Sequence, residues 1–186
     1  MADTGWLDPG SVVSQAPGQH AWTDAANAET EDSAFANVSV GGSRTTEQLY
    51  ASDFGAALPG GATPDGVEVR VVRYFEQDGG AGAVVADLLV QLTPGGTGTG
   101  DNKASEDWPE DSPNEFTYGG AADDWSCTLN ESVVNNSNFG VLFSGHETGA
   151  ADAIGHVDVI QMKIHYTEAG GGFQAAWAKG SNSVLQ

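Results

Sequence analysis

Between Val67 and Phe75 the chain reads Val-Glu-Val-Arg-Val-Val-Arg-Tyr-Phe, with Val67, Val69 and Val71 on one side and Glu68 and Arg70 on the other. A period of two is that of a strand with one buried face. The same alternation runs through Phe35–Val40 and breaks at Gly41-Gly42. From Ala83 to Leu92 it predicts Val84, Ala86, Leu88, Val90 and Leu92 on one face, against Val85, Asp87, Leu89 and Gln91. Turn residues fill Gln77–Gly82, so the two runs are expected to pair as a hairpin. Gln48–Phe54 and Asn138–Phe143 give two more strands. Ile154–Thr167 gives the last, with Asp158, Ile160, Met162, Ile164 and Tyr166 sharing a face. A short helical turn is expected over Leu129–Val134, capped by Asn130. Gly-rich Thr93–Gly100 is a loop. Many short strands at close spacing predict an all-β fold, an antiparallel β-sandwich of jelly-roll type.

The ends read differently. Residues 1–21 hold no sustained apolar period and are expected to form an extended N-terminal arm. The sandwich domain then spans 22–167, and 168–186 form a C-terminal extension. Trp6, Trp22, Phe173 and Trp177 fall in or beside these Gly-rich ends. Aromatic side chains favour interfaces, so these four are expected to anchor contacts with other copies of the chain.

Charge changes the picture. The chain has 26 Asp+Glu against 6 Lys+Arg, a formal net charge of −20 over 186 residues. The carboxylates are spread between apolar segments rather than gathered in a tail. Self-repulsion on this scale opposes compaction at ordinary ionic strength. Molar salt shortens the Debye length to about 3 Å and removes most of that penalty. A protein that folds in brine is the expectation. Nucleic acid is not an expected partner, because six cations neutralise few phosphates. No apolar run is long enough to span a membrane, and the start lacks the basic and apolar regions of a secretory signal.

Candidate chemistry is sparse. The single Cys127 excludes an intrachain disulfide and reads as a small core residue. Four histidines, His20, His146, His156 and His165, lack the spacing of a metal motif. Asp101, Asp107, Asp111, Asp123 and Asp124 lie in acidic loops that could hold Ca²⁺ or Mg²⁺, although none has the EF-hand spacing. No other cofactor is expected. There is no Gly-x-Ser-x-Gly elbow and no Gly-Lys-Ser/Thr phosphate loop, so an enzyme is not expected. Asn37, Asn130 and Asn135 open Asn-x-Ser sequons, with Asn130 and Asn135 in the more polar stretch.

Several segments, read in order, resemble a β-sandwich module of tailed-virus virion proteins and some bacterial surface proteins. They are Trp22-Thr-Asp-Ala-Ala-Asn27, Asp53-Phe-Gly55, Leu58–Arg70, Gly100-Asp-Asn-Lys-Ala104 with Trp108-Pro109, Tyr118–Trp125, Asn138-Phe-Gly-Val141 and Val157–Tyr166. Together with the charge, the resemblance implies a structural protein on the exterior of a haloarchaeal tailed virus. It would be a capsid turret or decoration protein, or a small tail-associated component of the extracellular particle. Its partners would be other virion proteins, copies of itself and a host-surface glycan. The alternative is a carbohydrate-binding or cell-surface β-sandwich module, with Trp108, Tyr118 and Trp125 as the platform on which sugars stack.

Overall fold

The computed structural model describes residues 1–170. Two antiparallel sheets form a sandwich. One holds five strands: β1 (Ala2–Asp3), β3 (Ala36–Val40), β5 (Thr63–Asp78), β7 (Asn114–Gly119) and β9 (Asp152–Thr167). Its order is β1-β9-β5-β7, with β3 also paired to β9. The other holds β2 (Ser11–Gln15), β4 (Gln48–Ser52), β6 (Val85–Thr93) and β8 (Gly140–Glu147), in the order β2-β4-β8-β6. Odd strands make one sheet and even strands the other, so each connection carries the chain across the sandwich. The all-β sandwich expected from the sequence is the fold observed. A 3₁₀ turn (Ala25–Glu29) and a one-turn helix, α1 (Glu131–Val134), are the helical pieces described. The Asn130 Oδ1 caps α1 by accepting the Val133 N–H at 3.0 Å.

The core lies between the sheets. Val67, Val69 and Val71 of β5 and Ile160, Met162 and Ile164 of β9 face Leu49 and Ala51 of β4, Val90 and Leu92 of β6, and Val141 and Phe143 of β8, all fully buried. Thus the sequence assigned the faces of the Val67 run and of the second half of the last strand correctly.

Alternating sheets overturn the expected hairpin. β5 pairs with β7 and β9, while β6 pairs with β8. The Gly-rich segment after Asp78 therefore bridges the layers instead of turning back within one. Two bulges overturn the remaining face assignments. In β6 the register shifts between Asp87 and Leu89, leaving Leu88 over. One extra residue reverses inside and outside from that point on. Val85 and Asp87 therefore point inward before the bulge and Val90 and Leu92 after it, while Leu88 stays 40% exposed. The Asn102 Nδ2 donates to the Leu88 carbonyl at 2.9 Å, which fixes the bulge. In β9 the shift opposite Val72 and Arg73 leaves Asp158 over. Val157 takes the interior instead, and the Asp158 Oδ1 accepts the Ser33 N–H at 2.9 Å.

The N-terminal residues are not a detached arm. Ala2–Asp3 pair with His165 and Tyr166, and Ser11–Gln15 pair with the whole of β4. Strand edges on β9 and β4 carry unpaired N–H and C=O groups, and the chain covers them with its own start. Val12 enters the core from β2. Trp22 joins it too: its ring stacks on Trp108 at 6.3 Å between centroids, and its Nε1–H donates to the Glu47 carbonyl at 2.8 Å. Trp22 is an internal residue and not an interface anchor.

On the outer side of the five-stranded sheet, His156 stacks on Tyr74 with ring centroids 4.4 Å apart. Burial there holds its pKa below the ordinary 6.5, against the opposing pull of Glu76. The unfolded chain binds this proton more readily, so His156 contributes stability above pH 6.5 that is lost as the pH falls through its depressed folded value. The denaturation midpoint is expected to fall as the pH drops through that window, and His156→Phe should flatten this part of the profile. An unchanged profile in the variant would show that His156 is not the titrating group.

Candidate functional site

The bulge in β6 aims Asp87 inward, where β5 delivers Arg73 from the opposite sheet. Both side chains have zero exposure, and Arg73 Nη2 lies 2.8 Å from Asp87 Oδ1. The Trp108 Nε1–H donates to the same carboxylate at 2.9 Å and the Tyr118 hydroxyl at 2.6 Å. The Arg73 guanidinium lies over the Phe116 ring, 3.9 Å from its centroid. Burial lowers the Arg73 pKa against the pull of Tyr118 and Asp87, and burial pushes the Tyr118 phenol far above its ordinary value. The cluster is sealed from solvent and ties the two sheets together. Three of its members were legible only as isolated aromatics and a charge.

This corrects the stacking platform. Trp108 and Tyr118 are 3% and 5% exposed, and Trp125 is fully buried with its Nε1–H donating to the Val67 carbonyl at 2.8 Å. A ring must be open to solvent to stack on a sugar. These three hold the fold instead.

The acidic loops are partly used as well. Asp101 and Asp123 flank Lys103 at 3.5 and 2.9 Å, so that pair already holds a cation. The Asp124 Oδ1 accepts the Ser126 N–H at 2.9 Å. Asp107 and Asp111 lie in exposed loop positions. Among the described residues, no three His, Cys, Asp or Glu side chains gather as a metal would need. Trp6 is 37% exposed, with the Lys163 Nζ 4.4 Å from its ring centroid. Phe173 and Trp177 lie outside the described residues. Among the sequons, the Asn135 side chain is bonded to both the N–H and the C=O of Leu58. The Asn37 Nδ2 donates to the Phe35 carbonyl while its Oδ1 meets His156.

The open surface that stands apart is the outer face of the four-stranded sheet. Strand register lines up Val13, Tyr50, Leu142 and Gln91 in one row across it. Val13 is exposed and Tyr50 half-buried, while Leu142 and Gln91 lie under Gly98 of the Gly-rich loop. Half-buried Gln15 and Gln48 pair in the adjacent row, as do half-buried Leu89 and buried Ser144. The Tyr50 hydroxyl donates to the Asn138 carbonyl at 2.7 Å, which fixes its ring over the sheet. The Gly-rich loop closes one side, where the Gln91 Nε2–H donates to the Gly100 carbonyl at 2.9 Å. At the other side lies a hollow of ≈ 330 Å³ lined by Pro17, Gly18, Thr45, Thr46, Gln48, Leu88, Leu89 and Ser144. Asp87 and Glu147 are the only Asp, Glu, Lys or Arg in β2, β4, β6 and β8, and both point into the core. The five-stranded sheet instead carries Glu68, Arg70, Glu76, Glu115 and Lys163. Among the described residues, a −20 chain thus keeps the strands of one broad face free of outward charge. The sequence alone did not signal it, because β6 carries Asp87 and β8 carries Glu147, and only the register of the strands turns both inward.

No family model and no curated protein matches the chain. Among solved structures, it is similar to the CBM22-1 xylan-binding domain of Paenibacillus barcinonensis Xyn10C, with 17% identity, a TM-score of 0.37, and 89% of this chain and 87% of that one covered. A second similar structure is described as "CBM4 structure and function", with 12% identity, a TM-score of 0.33, and 89% and 95% covered. At these scores neither likeness carries an argument about what this chain binds.

Proposed function

We propose that the protein is a non-catalytic carbohydrate-binding module and that the outer face of its four-stranded sheet holds a neutral glycan. The observation that carries this reading is the absence of charge, among the described residues, from the strands of that face in a chain of net charge −20. A neutral sugar polymer presents hydroxyls that both donate and accept, beside weakly apolar C–H faces. The carboxamides of Gln15, Gln48 and Gln91 likewise donate and accept. Tyr50 and Leu89 offer apolar area beside them. A face of carboxylates would lose hydration against such a ligand without gaining a partner. An acidic glycan would be repelled by the whole molecule.

The test is retention on insoluble neutral polysaccharides, with titration calorimetry against xylo-, cello- and mannohexaose in high salt. Binding of at least one is expected. Tyr50→Ala and Gln48→Ala should each weaken it about tenfold, the equivalent of ~1.4 kcal/mol. No binding to any of the three, or binding untouched by both substitutions, would overturn the reading.

A second reading is the virion component. It is favoured by Val13 and Leu88, exposed at 45% and 40% on that same face, and by the open Trp6. There the face would meet copies of the chain or other virion proteins, and the protein would sit on the particle exterior. Sedimentation separates the two. A monomer that binds hexasaccharide supports the first reading. An oligomer that Val13→Glu dissociates supports the second.

A further inference from the structure

Residues 17–20 and 44–48 contribute to the hollow on the sheet face, and they also wall a second hollow on the edge of β3. The two segments are held together by the Gln19 N–H on the Thr45 carbonyl at 3.0 Å and the Glu47 N–H on the His20 carbonyl at 2.7 Å. This second hollow, of ≈ 340 Å³, is lined by His20, Ser39, Gly41, Gly42, Arg44 and Asp152. It meets a more apolar recess of ≈ 420 Å³, which shares His20 and Ser39 and adds Ala21, Val38 and Ile154.

Arg44 is unusual in this chain. Arg70, Arg73, Lys103 and Lys163 each have a carboxylate within 4.0 Å, and Arg44 is the one described Lys or Arg without one. Yet Arg44 shares its hollow with Asp152. The turn that presents it is fixed from below. Buried Glu147 accepts the Ser43 N–H at 2.9 Å and donates its own N–H to the Arg44 carbonyl at 2.9 Å. His20 lines both recesses, and behind that wall its Nε2 is buried with no hydrogen-bond partner.

We infer that this hollow is a second binding site, which takes a single neutral sugar residue, such as the end of a glycan chain. Arg44 supplies donors, Asp152 an acceptor, and His20 and Ser39 a group of either kind. Adjacent hydroxyls of one sugar ring satisfy such a mixed set. A small anion would meet the Asp152 carboxylate as well as Arg44, and a small cation the reverse. The apolar recess beside His20 receives the C–H face of the ring. The site rests on the glycan-binding reading for its biological sense, and on its own donors and acceptors for its ligand class.

The probe is a set of methyl glycosides of glucose, galactose, mannose and xylose at millimolar concentration, read by the His20 ring resonances in NMR spectra of the full chain. At least one glycoside is expected to shift His20 saturably. Arg44→Ala and Asp152→Asn should each weaken that binding at least fivefold while leaving hexaose binding to the sheet face in place. Tyr50→Ala should do the opposite. Sodium acetate and sodium sulfate at equal concentration serve as anions. If they shift His20 and the glycosides do not, the sugar assignment is overturned, as it is if nothing shifts His20. If the glycosides bind at His20 while no hexaose binds the sheet face, this site stands and the proposed role of the face falls.

Discussion

Asp87→Ala is expected to cost about 3–5 kcal/mol of stability, the range for leaving one partner of a buried ion pair uncompensated. The substitution strands the Arg73 guanidinium, whose side chain has no solvent exposure and whose Nε and Nη1 already lack hydrogen-bond partners. It also leaves the Trp108 Nε1–H and the Tyr118 hydroxyl without their acceptor. The Phe116 ring under the guanidinium does not offset this, because that cation–π contact is present before and after the substitution. The second arm of the test is Arg73→Met with Asp87→Leu. Two apolar groups of similar volume leave no buried charge, so the double variant should recover most of the loss. Chemical denaturation in high salt measures both. A loss below about 1 kcal/mol for Asp87→Ala would mean that water reaches the cluster, contrary to its geometry.

The same cluster shows where the sequence was legible and where it was not. Val67, Val69 and Val71 lie on β5 before its partner strand bulges, so simple alternation identified the core face. Beyond a bulge, alternation carries forward with the wrong sign. That grouped Leu88 with Val90 and Leu92 and set Asp87 opposite them, and it put Asp158 on the face of Ile160. The conflict was visible, since a carboxylate inside an apolar run is a reason to suspect an extra residue. The pairing of strands was not visible in the same way. Two good strands with a Gly-rich link suit a hairpin equally well as a crossing between layers, and only the packing of every strand decides between them. Trp108 and Trp125 misled for a related reason. Tryptophan suits exposed platforms, but here each N–H found an internal acceptor, which makes full burial favourable. The uncharged sheet face was not legible either, because β2 read as part of the arm and Asp87 in β6 turns inward only through the bulge.

Lowering the salt is expected to produce the other large effect. Of the 26 Asp and Glu residues, only Glu31, Glu68, Asp87, Asp101, Glu115 and Asp123 reach a Lys or Arg among the described residues. Apart from buried Glu147 of β8, the remaining carboxylates crowd the five-stranded sheet and the loops, since the outer face of the other sheet takes none. Folding brings them together, and unfolding lets them separate. The Debye length is about 3 Å at 1 M salt and about 10 Å at 0.1 M, so dilution restores repulsion between neighbours that high salt had screened. The urea midpoint should therefore fall steeply between molar and 0.1 M chloride. It should do so equally in KCl and NaCl, because screening depends on ionic strength and not on the cation. Changing the exposed Asp78, Asp107 and Glu110 to their amides should make that fall shallower without lowering the high-salt midpoint. A midpoint that holds steady to 0.1 M would show that the charges lie too far apart to matter. A fall in NaCl that KCl prevents would instead indicate specific ion binding.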